Sequence, residues 1–187
     1  MKRNPIFIAL IIGILVLILI GGMFYFFQWL KEKPRIIKTD EELTANWKVY
    51  QGQELGFTIK YPSEWEDPKK VESSENGYKT VSISGEDITI EIEKFSSPQN
   101  FEEEASKQEK YLELRGESLH RGRILLDEVP AKRITYFSFQ YQFQGGIILI
   151  EGKEGQKYII KTYIKFNPKG KKEFILDQIL STFKFLE

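Results

Sequence analysis

Residues 132–166, KRITYFSFQYQFQGGIILIEGKEGQKYIIKTYIKF, decide the fold. β-Branched and aromatic side chains dominate this stretch, which favours extended strands, and glycine-containing turns divide it. The sequence predicts three strands, over residues 132–142, 147–151 and 158–166, with turns at Gly145-Gly146 and at residues 153–156. Strands that follow one another through short turns pair antiparallel. This stretch therefore predicts a three-stranded antiparallel meander.

Shorter stretches on either side extend the predicted sheet. In the segment 55–65, Phe57, Ile59 and Tyr61 alternate with polar residues, which is the period of a half-buried strand. Further strands are predicted at residues 47–50, 78–84, 88–95, 119–126 and 183–185. The strands at 78–84 and 88–95 are separated by a short turn and predict a β-hairpin.

Two helices complete the predicted domain. Asn100 followed by Glu103 predicts a capping box and a helix that runs to about Arg115. Asn167-Pro168 predicts the start of a second helix, with an apolar stripe over residues 175–180. The predicted fold class is α+β, with an antiparallel sheet flanked by helices.

Residues 5–30, PIFIALIIGILVLILIGGMFYFFQWL, contain no charged side chain. As a helix, residues 6–27 would be about 33 Å long, which matches the hydrocarbon core of a bilayer. Aromatic residues crowd the C-terminal end of this run, as they do at a membrane interface. The sequence therefore predicts a transmembrane helix in residues 1–30, a linker at 31–46 and a single globular domain at 47–187.

Basic residues flank the predicted span on both sides, so their number does not decide its orientation. A short basic tail directly before a hydrophobic helix is typical of a signal anchor, whereas the long apolar core and the lack of a small-x-small site argue against a cleaved signal peptide. A lipoprotein anchor is excluded because the chain has no cysteine. We expect a single-pass protein of the cell membrane with a cytoplasmic N-terminus and an extracytoplasmic domain.

Charge and composition restrict the function of the domain. The chain is neutral overall, but residues 1–38 carry a net charge of +5 and residues 39–187 carry −5. An acidic domain without a basic stripe argues against nucleic acid as a partner, because phosphate neutralisation needs clustered Lys and Arg. The absence of cysteine also excludes disulfides, thiolate nucleophiles and cysteine-ligated metal sites.

Few ionisable residues are candidates for catalysis or for metal binding. His120 is the only histidine, which excludes a multi-histidine metal site, and its place near a strand start favours a surface residue over a general base. Glu91 and Glu93 share one strand face and, with Glu86 and Asp87, could offer oxygen ligands to a cation such as Ca²⁺. No EF-hand-like spacing supports this, and we favour a solvated hairpin face. The glutamates at 102–104 fall in a first helical turn, where they complement the helix dipole.

Glycines and aromatic residues also have simple structural interpretations. Gly145-Gly146 and Gly152-x-x-Gly155 are predicted turn glycines, since neither pair precedes a helix as a phosphate loop does. An aromatic row could line an apolar groove, although a row on a central strand under a helix is more typical of a core; its members are Phe137, Phe139, Tyr141 and Phe143. The sequence predicts no catalytic, cofactor-binding or metal-binding residue.

Three stretches together resemble the PsbP-like superfamily: LGFTIKYPSEW at 55–65, LLDEVPAKRITYF at 125–137 and LDQILSTFKF at 176–185. The resemblance covers roughly residues 47–187 and implies an antiparallel sheet sandwiched between helices. It also implies kinship with the extrinsic subunits of the oxygen-evolving complex and with exported, anchored bacterial proteins. These motifs are structural, so the resemblance implies no site residue, and the single-pass anchor departs from the plant subunits.

Two functions from different classes are consistent with the sequence. The first is a membrane-anchored, extracytoplasmic, non-catalytic binding or scaffold domain that meets a protein partner of the cell envelope through a sheet edge or a helix face. The alternative is a small-molecule or lipid carrier with an apolar pocket between sheet and helix, lined by the aromatic row. A hydrolase is a third and weaker interpretation.

Overall fold

The computed structural model describes residues 18–21, 23, 34–73, 78–95, 98–114, 118–138, 142–152, 155–165 and 171–186. The chain forms two compact units, Met1–Lys33 and Pro34–Glu187. In the first unit residues 18–21 and 23 are helical, and the rest of the predicted membrane span lies outside the described residues. No helix in the described part of the chain is long and apolar enough to cross a membrane.

The second unit contains three short to medium helices and eleven strands among its described residues. The helices are α1 (Glu41–Thr44), α2 (Pro98–Leu114) and α3 (Lys171–Ser181). The strands are β1 (Arg35–Ile36), β2 (Lys48–Gly52), β3 (Phe57–Tyr61), β4 (Lys69–Ser73), β5 (Tyr78–Ser84), β6 (Ile88–Phe95), β7 (Ser118–Leu126), β8 (Val129–Ser138), β9 (Phe143–Glu151), β10 (Lys157–Lys165) and β11 (Lys184–Phe185). This is a mixed α/β domain built mainly on β-sheet.

The strands form one large sheet and one small sheet. The large sheet has eight strands in the order β1-β7-β8-β9-β10-β6-β5-β4, and the small sheet has the order β11-β3-β2. All neighbouring pairs are antiparallel except β1, which lies parallel to β7. The predicted meander is present as β8-β9-β10, and the predicted hairpin is present as β5-β6.

The glycines that were expected to turn the meander lie within a strand instead. β9 already begins at Phe143, and Gly145 and Gly146 pair with both neighbouring strands. A Cβ atom on Gly145 would lie 2.1 Å from the ring of Tyr136, directly across on β8. The tyrosine ring therefore covers the glycine, and this contact explains why small residues occupy the strand. The chain turns earlier, near Gln142, which adopts a positive φ of 50°.

The central strands of the large sheet bury side chains on both faces. Ile148 of β9 and Ile160 of β10 lie on one face, in a cluster that includes β3 and α3. Ile147 and Ile159 lie on the opposite face, in a cluster covered by Phe101 and Leu112 of α2. Each of these isoleucines is at most 3% exposed. A fully buried side chain of this size stabilises the fold by about 1.5–3 kcal/mol.

Residues 34–46 belong to the compact domain, which differs from the linker predicted at 31–46. The backbone N–H of Asp40 donates to Oε1 of Gln178 in α3 at 2.5 Å, and Gln178 Nε2 donates to the carbonyl of Lys38 at 3.1 Å. Arg35 pairs with Asp177, which also binds Arg133 of β8 at 2.8 Å. Polar contacts attach this segment to α3. Its sequence has no regular apolar pattern, and it therefore resembles a linker.

The first turn of α2 also differs from its prediction. The helix begins at Pro98 rather than at Asn100, so the predicted capping box is wrong. Proline is favoured in the first turn of a helix because its missing N–H would have no partner there. Glu103 lies further inside the helix and pairs with Lys107, one turn later, at 2.8 Å. The caps predicted at 167–168 for α3 lie outside the described residues.

Two tyrosines near the small sheet allow a matched test of the packing. The hydroxyl of Tyr158 is buried and donates to the carbonyl of Leu55 at 2.7 Å, and burial raises the pKa of Tyr158 to about 12. The buried hydroxyl of Tyr50 has no hydrogen-bond partner among the described residues. We expect Tyr158→Phe to lower the free energy of unfolding by about 1–1.5 kcal/mol, whereas Tyr50→Phe leaves it unchanged or raises it slightly. Urea denaturation measures both changes, and an equal loss in the two variants would contradict this assignment.

Candidate functional site

His120 lies exposed on β7, and its backbone carbonyl accepts a hydrogen bond from Thr135 Oγ1. This confirms the prediction of a surface residue. Gly152 and Gly155 flank the turn between β9 and β10, where the N–H of Gly152 donates to the carbonyl of Gln156 at 2.6 Å. The prediction of turn glycines is confirmed for this pair.

Glu91 and Glu93 project from the same face of β6, as predicted, but that face is not solvated. The Glu93 side chain is only 8% exposed, and its carboxylate lies 2.8 Å from Nζ of Lys161 on the neighbouring strand β10. Helix α2 covers this region and brings Glu104 close to the pair. The prediction of a solvated hairpin face is therefore wrong, because β10, a strand from a distant part of the chain, and α2, which follows β6 directly, cover it.

The surroundings of Glu93 and Lys161 shift the pKa values of both side chains. Burial raises the pKa of Glu93, although the hydrogen bond and the charge of Lys161 offset part of that effect. Burial alone would lower the pKa of Lys161, but the hydrogen bond and the charge of Glu93, together with the charges of Tyr163 and Glu104, outweigh burial and raise the pKa. Lys161 is thus held in its charged form, and the pair serves as a structural contact inside the sheet–helix interface.

Glu86 and Asp87 lie elsewhere, in the turn before β6. Asp87 pairs with Lys172 of α3 at 2.5 Å, and its carbonyl accepts from the N–H of Lys165 at 2.9 Å. The four acidic residues considered for a cation therefore do not converge. Among the described residues, no three His, Cys, Asp or Glu side chains come together as a metal site.

The predicted aromatic row does not form a single surface. Phe139 and Tyr141 lie outside the described residues, and the other two belong to different strands. Phe137 of β8 pairs with Gln144, and Phe143 of β9 pairs with Ser138, so the two rings lie on opposite faces of the sheet. The Phe143 ring centroid lies 5.9 Å from that of Tyr136 in an edge-to-face contact. These aromatic residues do not line a common groove.

The space between the large sheet and α3 is filled by side chains. Leu176, Ile179 and Leu180 of α3 are at most 1% exposed, and Phe183 stacks on Phe57 with ring centroids 5.1 Å apart. The described residues therefore leave no pocket of the kind that a lipid carrier needs in this layer.

An open cleft lies on the surface beside α3 and is the candidate functional site. Its volume is about 240 Å³, and its walls come from α1, the start of β2, the loop after β3, the turn before β6 and the first turns of α3. The lining residues are Leu43, Trp47, Pro62, Glu64, Trp65, Glu86, Asp87, Ile88, Lys172 and Ile175. This volume is below the roughly 300–1,000 Å³ of pockets for drug-sized ligands, so the cleft suits a side chain or a small group.

The hydrophobic core of the domain supports the two tryptophans of the cleft. Both are half-buried and pack against the main hydrophobic cluster. A Cβ atom on Gly85 would lie 2.2 Å from Cε2 of Trp65, so the indole ring packs directly on the glycine backbone. The backbone N–H of Trp65 donates to the carbonyl of Pro62 at 3.1 Å, which forms the tight turn after β3. Packing within the domain therefore sets the positions of both indole rings without a ligand.

Sequence reasoning missed this cleft. The sequence pattern predicts a strand at residues 47–50, gives Trp65 no role in a site and places Asp87 with Glu91 as a possible cation ligand. The signal that could have found the site is the composition of the segment 62–65, PSEW, where a tryptophan follows a strand-ending proline beside an acidic residue. Nothing in the sequence places Lys172 next to Asp87, because 85 residues separate them.

The Glu93–Lys161 pair gives a testable prediction about stability and pH. Lys161→Met should destabilise the protein by about 3–5 kcal/mol at neutral pH, because it leaves a buried carboxylate unpaired, whereas adding Glu93→Leu should restore most of the loss. A carboxyl group whose pKa is higher in the folded than in the unfolded protein costs stability as the pH rises between the two values. The variant lacks the hydrogen bond and the charge of Lys161 that offset burial, so the pKa of Glu93 rises further in it. The deficit of Lys161→Met relative to the native chain should therefore shrink as the pH falls through that pKa.

Thermal denaturation between pH 4 and pH 8 measures this dependence. The exposed pair Glu103–Lys107 provides the control, and Lys107→Met should leave the midpoint nearly unchanged. A deficit in Lys161→Met that stays constant with pH would contradict a buried, unpaired carboxylate.

Three solved structures align with the chain at low identity. A protein from Bacteroides thetaiotaomicron aligns with a TM-score of 0.44 and 14% identity over 75% of this chain, which spans about half (48%) of that protein. A Pseudomonas aeruginosa protein of unknown function, PA94, aligns with a TM-score of 0.41 and 17% identity over 73% of this chain and 94% of its own. LpqN, involved in cell envelope biogenesis of Mycobacterium tuberculosis, aligns with a TM-score of 0.41 and 12% identity, covering 80% of this chain and 98% of its own.

No curated protein matches the chain at a significant level. The family model described as PsbP-like protein matches residues 8–185, which is nearly the whole chain. The match agrees with the resemblance of the three structural motifs and with the antiparallel sheet covered by helices. The chain belongs to the PsbP-like protein family.

Proposed function

We propose that this chain is a membrane-anchored, extracytoplasmic binding domain that holds a protein partner at the cell envelope and has no catalytic role. The observation that carries the proposal is the open cleft beside α3, where two half-buried tryptophans meet carboxylates. Tryptophan is the residue type most enriched at the energetic centres of protein interfaces, because it buries a large, rigid surface.

The surroundings of the cleft favour a macromolecular partner. Leu43 at the rim of the cleft is 37% exposed. Apolar side chains exposed beside a shallow aromatic cleft are typical of a surface that another protein covers. The filled layer between sheet and α3 speaks against the alternative of an internal lipid or small-molecule carrier.

The location at the envelope is supported by the sequence. Residues 5–30 contain no charge and are long enough to span a bilayer, and a short basic tail precedes them. On the signal-anchor interpretation, the acidic domain faces away from the cytoplasm. The partner would then be a protein of the same compartment.

A cysteine-labelling experiment tests the topology. The native chain has no cysteine, so labelling of a single introduced cysteine shows on which side of the membrane that residue lies. Gly122 on β7 is suitable because an added Cβ meets nothing within 4 Å, whereas Gly155 has a φ of +73° that strains any side chain. Membrane-impermeant maleimide on intact cells, with any outer membrane made permeable, should label Gly122→Cys before lysis and Asn4→Cys only after lysis. The reverse pattern would place the domain in the cytoplasm.

Photo-crosslinking tests the binding role. A benzoylphenylalanine at Leu43 should give one reproducible protein adduct in membranes, because this side chain lines the cleft. The control is the same probe at Leu114, which is 78% exposed at the end of α2, on the helix that covers the other sheet face. No adduct from Leu43, or the same adducts from both positions, would contradict a partner site at the cleft.

A further inference from the structure

We propose that the cleft recognises a basic side chain, a lysine or an arginine presented by a segment of the partner protein. This inference rests on the proposed function and names the chemistry of the partner at the same site. It is drawn from the charges and rings that line the cleft beside α3.

The charge of the lining is negative. Three carboxylates, those of Glu64, Glu86 and Asp87, face a single ammonium group, that of Lys172. Asp87 and Lys172 pair with each other and are both about one-quarter exposed, so their charges largely cancel. Glu64 and Glu86 are exposed, and within the described residues neither forms an ion pair. A net charge of about −2 therefore remains at the mouth of the cleft.

Two lysines beside the loop after β3 have acidic partners outside the cleft. Lys48 donates to the backbone carbonyl of Trp65, but its ammonium group pairs with Asp67 at 3.1 Å. Lys69 pairs with Glu66 at 3.0 Å. Neither lysine therefore pairs with Glu64 or Glu86, and both carboxylates can attract an incoming cation.

The aromatic walls fit the same ligand. A Lys ammonium or an Arg guanidinium is attracted to the face of a tryptophan ring, and the aliphatic stem of either side chain packs against apolar surface. Trp47, Trp65 and Ile175 provide such surfaces in one cleft of about 240 Å³. An anionic ligand would be repelled by Glu64 and Glu86, and a neutral one would leave both carboxylates without an ionic partner.

A protein segment is a better source of the cation than a lipid headgroup. The partly exposed Leu43 adds apolar surface at the rim of the cleft, as a polypeptide flanking its anchor residue would require. A phosphocholine group would bring a phosphate next to Glu64 and Glu86 and lose part of the electrostatic gain. We therefore commit to a peptide with a basic anchor residue.

Tryptophan fluorescence of the full chain in detergent micelles tests the inference. The chain has three tryptophans, and Trp29→Phe leaves only the two that line the cleft. The probes are three acetylated peptide amides, Gly-Pro-X-Pro-Gly, in which X is Lys, Gln or Glu, together with phosphocholine. We expect the Lys peptide to bind with a millimolar Kd, at least about fivefold more tightly than the Gln peptide, and more weakly as the salt concentration rises.

Charge variants provide the matched control. Glu64→Gln/Glu86→Gln should weaken binding of the Lys peptide by about fivefold, because two exposed carboxylates each contribute a modest ionic interaction. Glu102→Gln/Glu103→Gln on α2 removes the same net charge away from the cleft and should leave the affinity unchanged. Both pairs are exposed, so folding is retained.

Four results would overturn the inference, and three of them concern the probes: no response to the Lys peptide, equal binding of the Lys and Gln peptides, or tighter binding of phosphocholine than of the Lys peptide. These failures are distinguishable from failure of the proposed function. A specific adduct from Leu43 without Lys-peptide binding would keep the partner site and reject its basic anchor. Binding of the Lys peptide that both pairs of variants reduce equally would assign the effect to overall charge and also reject the inference.

Discussion

The centre of the large sheet is apolar on both faces, and this constraint determines the architecture. β9 carries the consecutive residues Ile147, Ile148, Leu149 and Ile150, whose side chains alternate between the two faces. A sheet with one solvated face would expose half of them at a cost of about 1.5–3 kcal/mol for each large side chain. Both faces must therefore be covered. Helix α2 covers one face, and α3 with the small sheet covers the other.

Charged side chains inside these layers are tolerated where each has a partner of opposite charge. Glu93 lies under α2 with Lys161, and Asp177 of α3 lies between Arg35 and Arg133. Removing one member of such a pair leaves a desolvated charge, so these contacts select one arrangement of helix and sheet more than they add stability. Gly145 has a related role, since its missing side chain admits the ring of Tyr136.

The docking of residues 34–46 connects the architecture to the candidate site. The contacts of Asp40 with Gln178, and of Thr39 with Ser181, place α1 against α3. As a result Leu43 and Trp47 line the same cleft as Lys172 and Ile175 of α3. The cleft is thus made where the beginning and the end of the domain meet. A mutation that breaks the contacts of residues 34–46 with α3 would therefore open the cleft, even though it replaces neither tryptophan.

Local sequence patterns are sufficient to predict the class of the fold and most strands of the sheet. Period-2 alternation depends only on neighbouring residues, so β5 and β6 and the core of the meander were predicted within a few residues. Family membership followed from three local motifs for the same reason. β4, β1 and α1 were missed because their residues are polar and gain their structure from pairing or from hydrogen bonds with α3.

Contacts between distant side chains follow from the packing of the folded domain and are not visible in the sequence. Glu91 and Glu93 were correctly placed on one face, but the neighbouring strand that supplies Lys161 is 68 residues from Glu93. The cleft joins residues from five separate segments, so no local pattern contains it. Local patterns show which side chains each segment buries. The charges and rings that form a site come from distant segments, which meet only when those buried faces pack together.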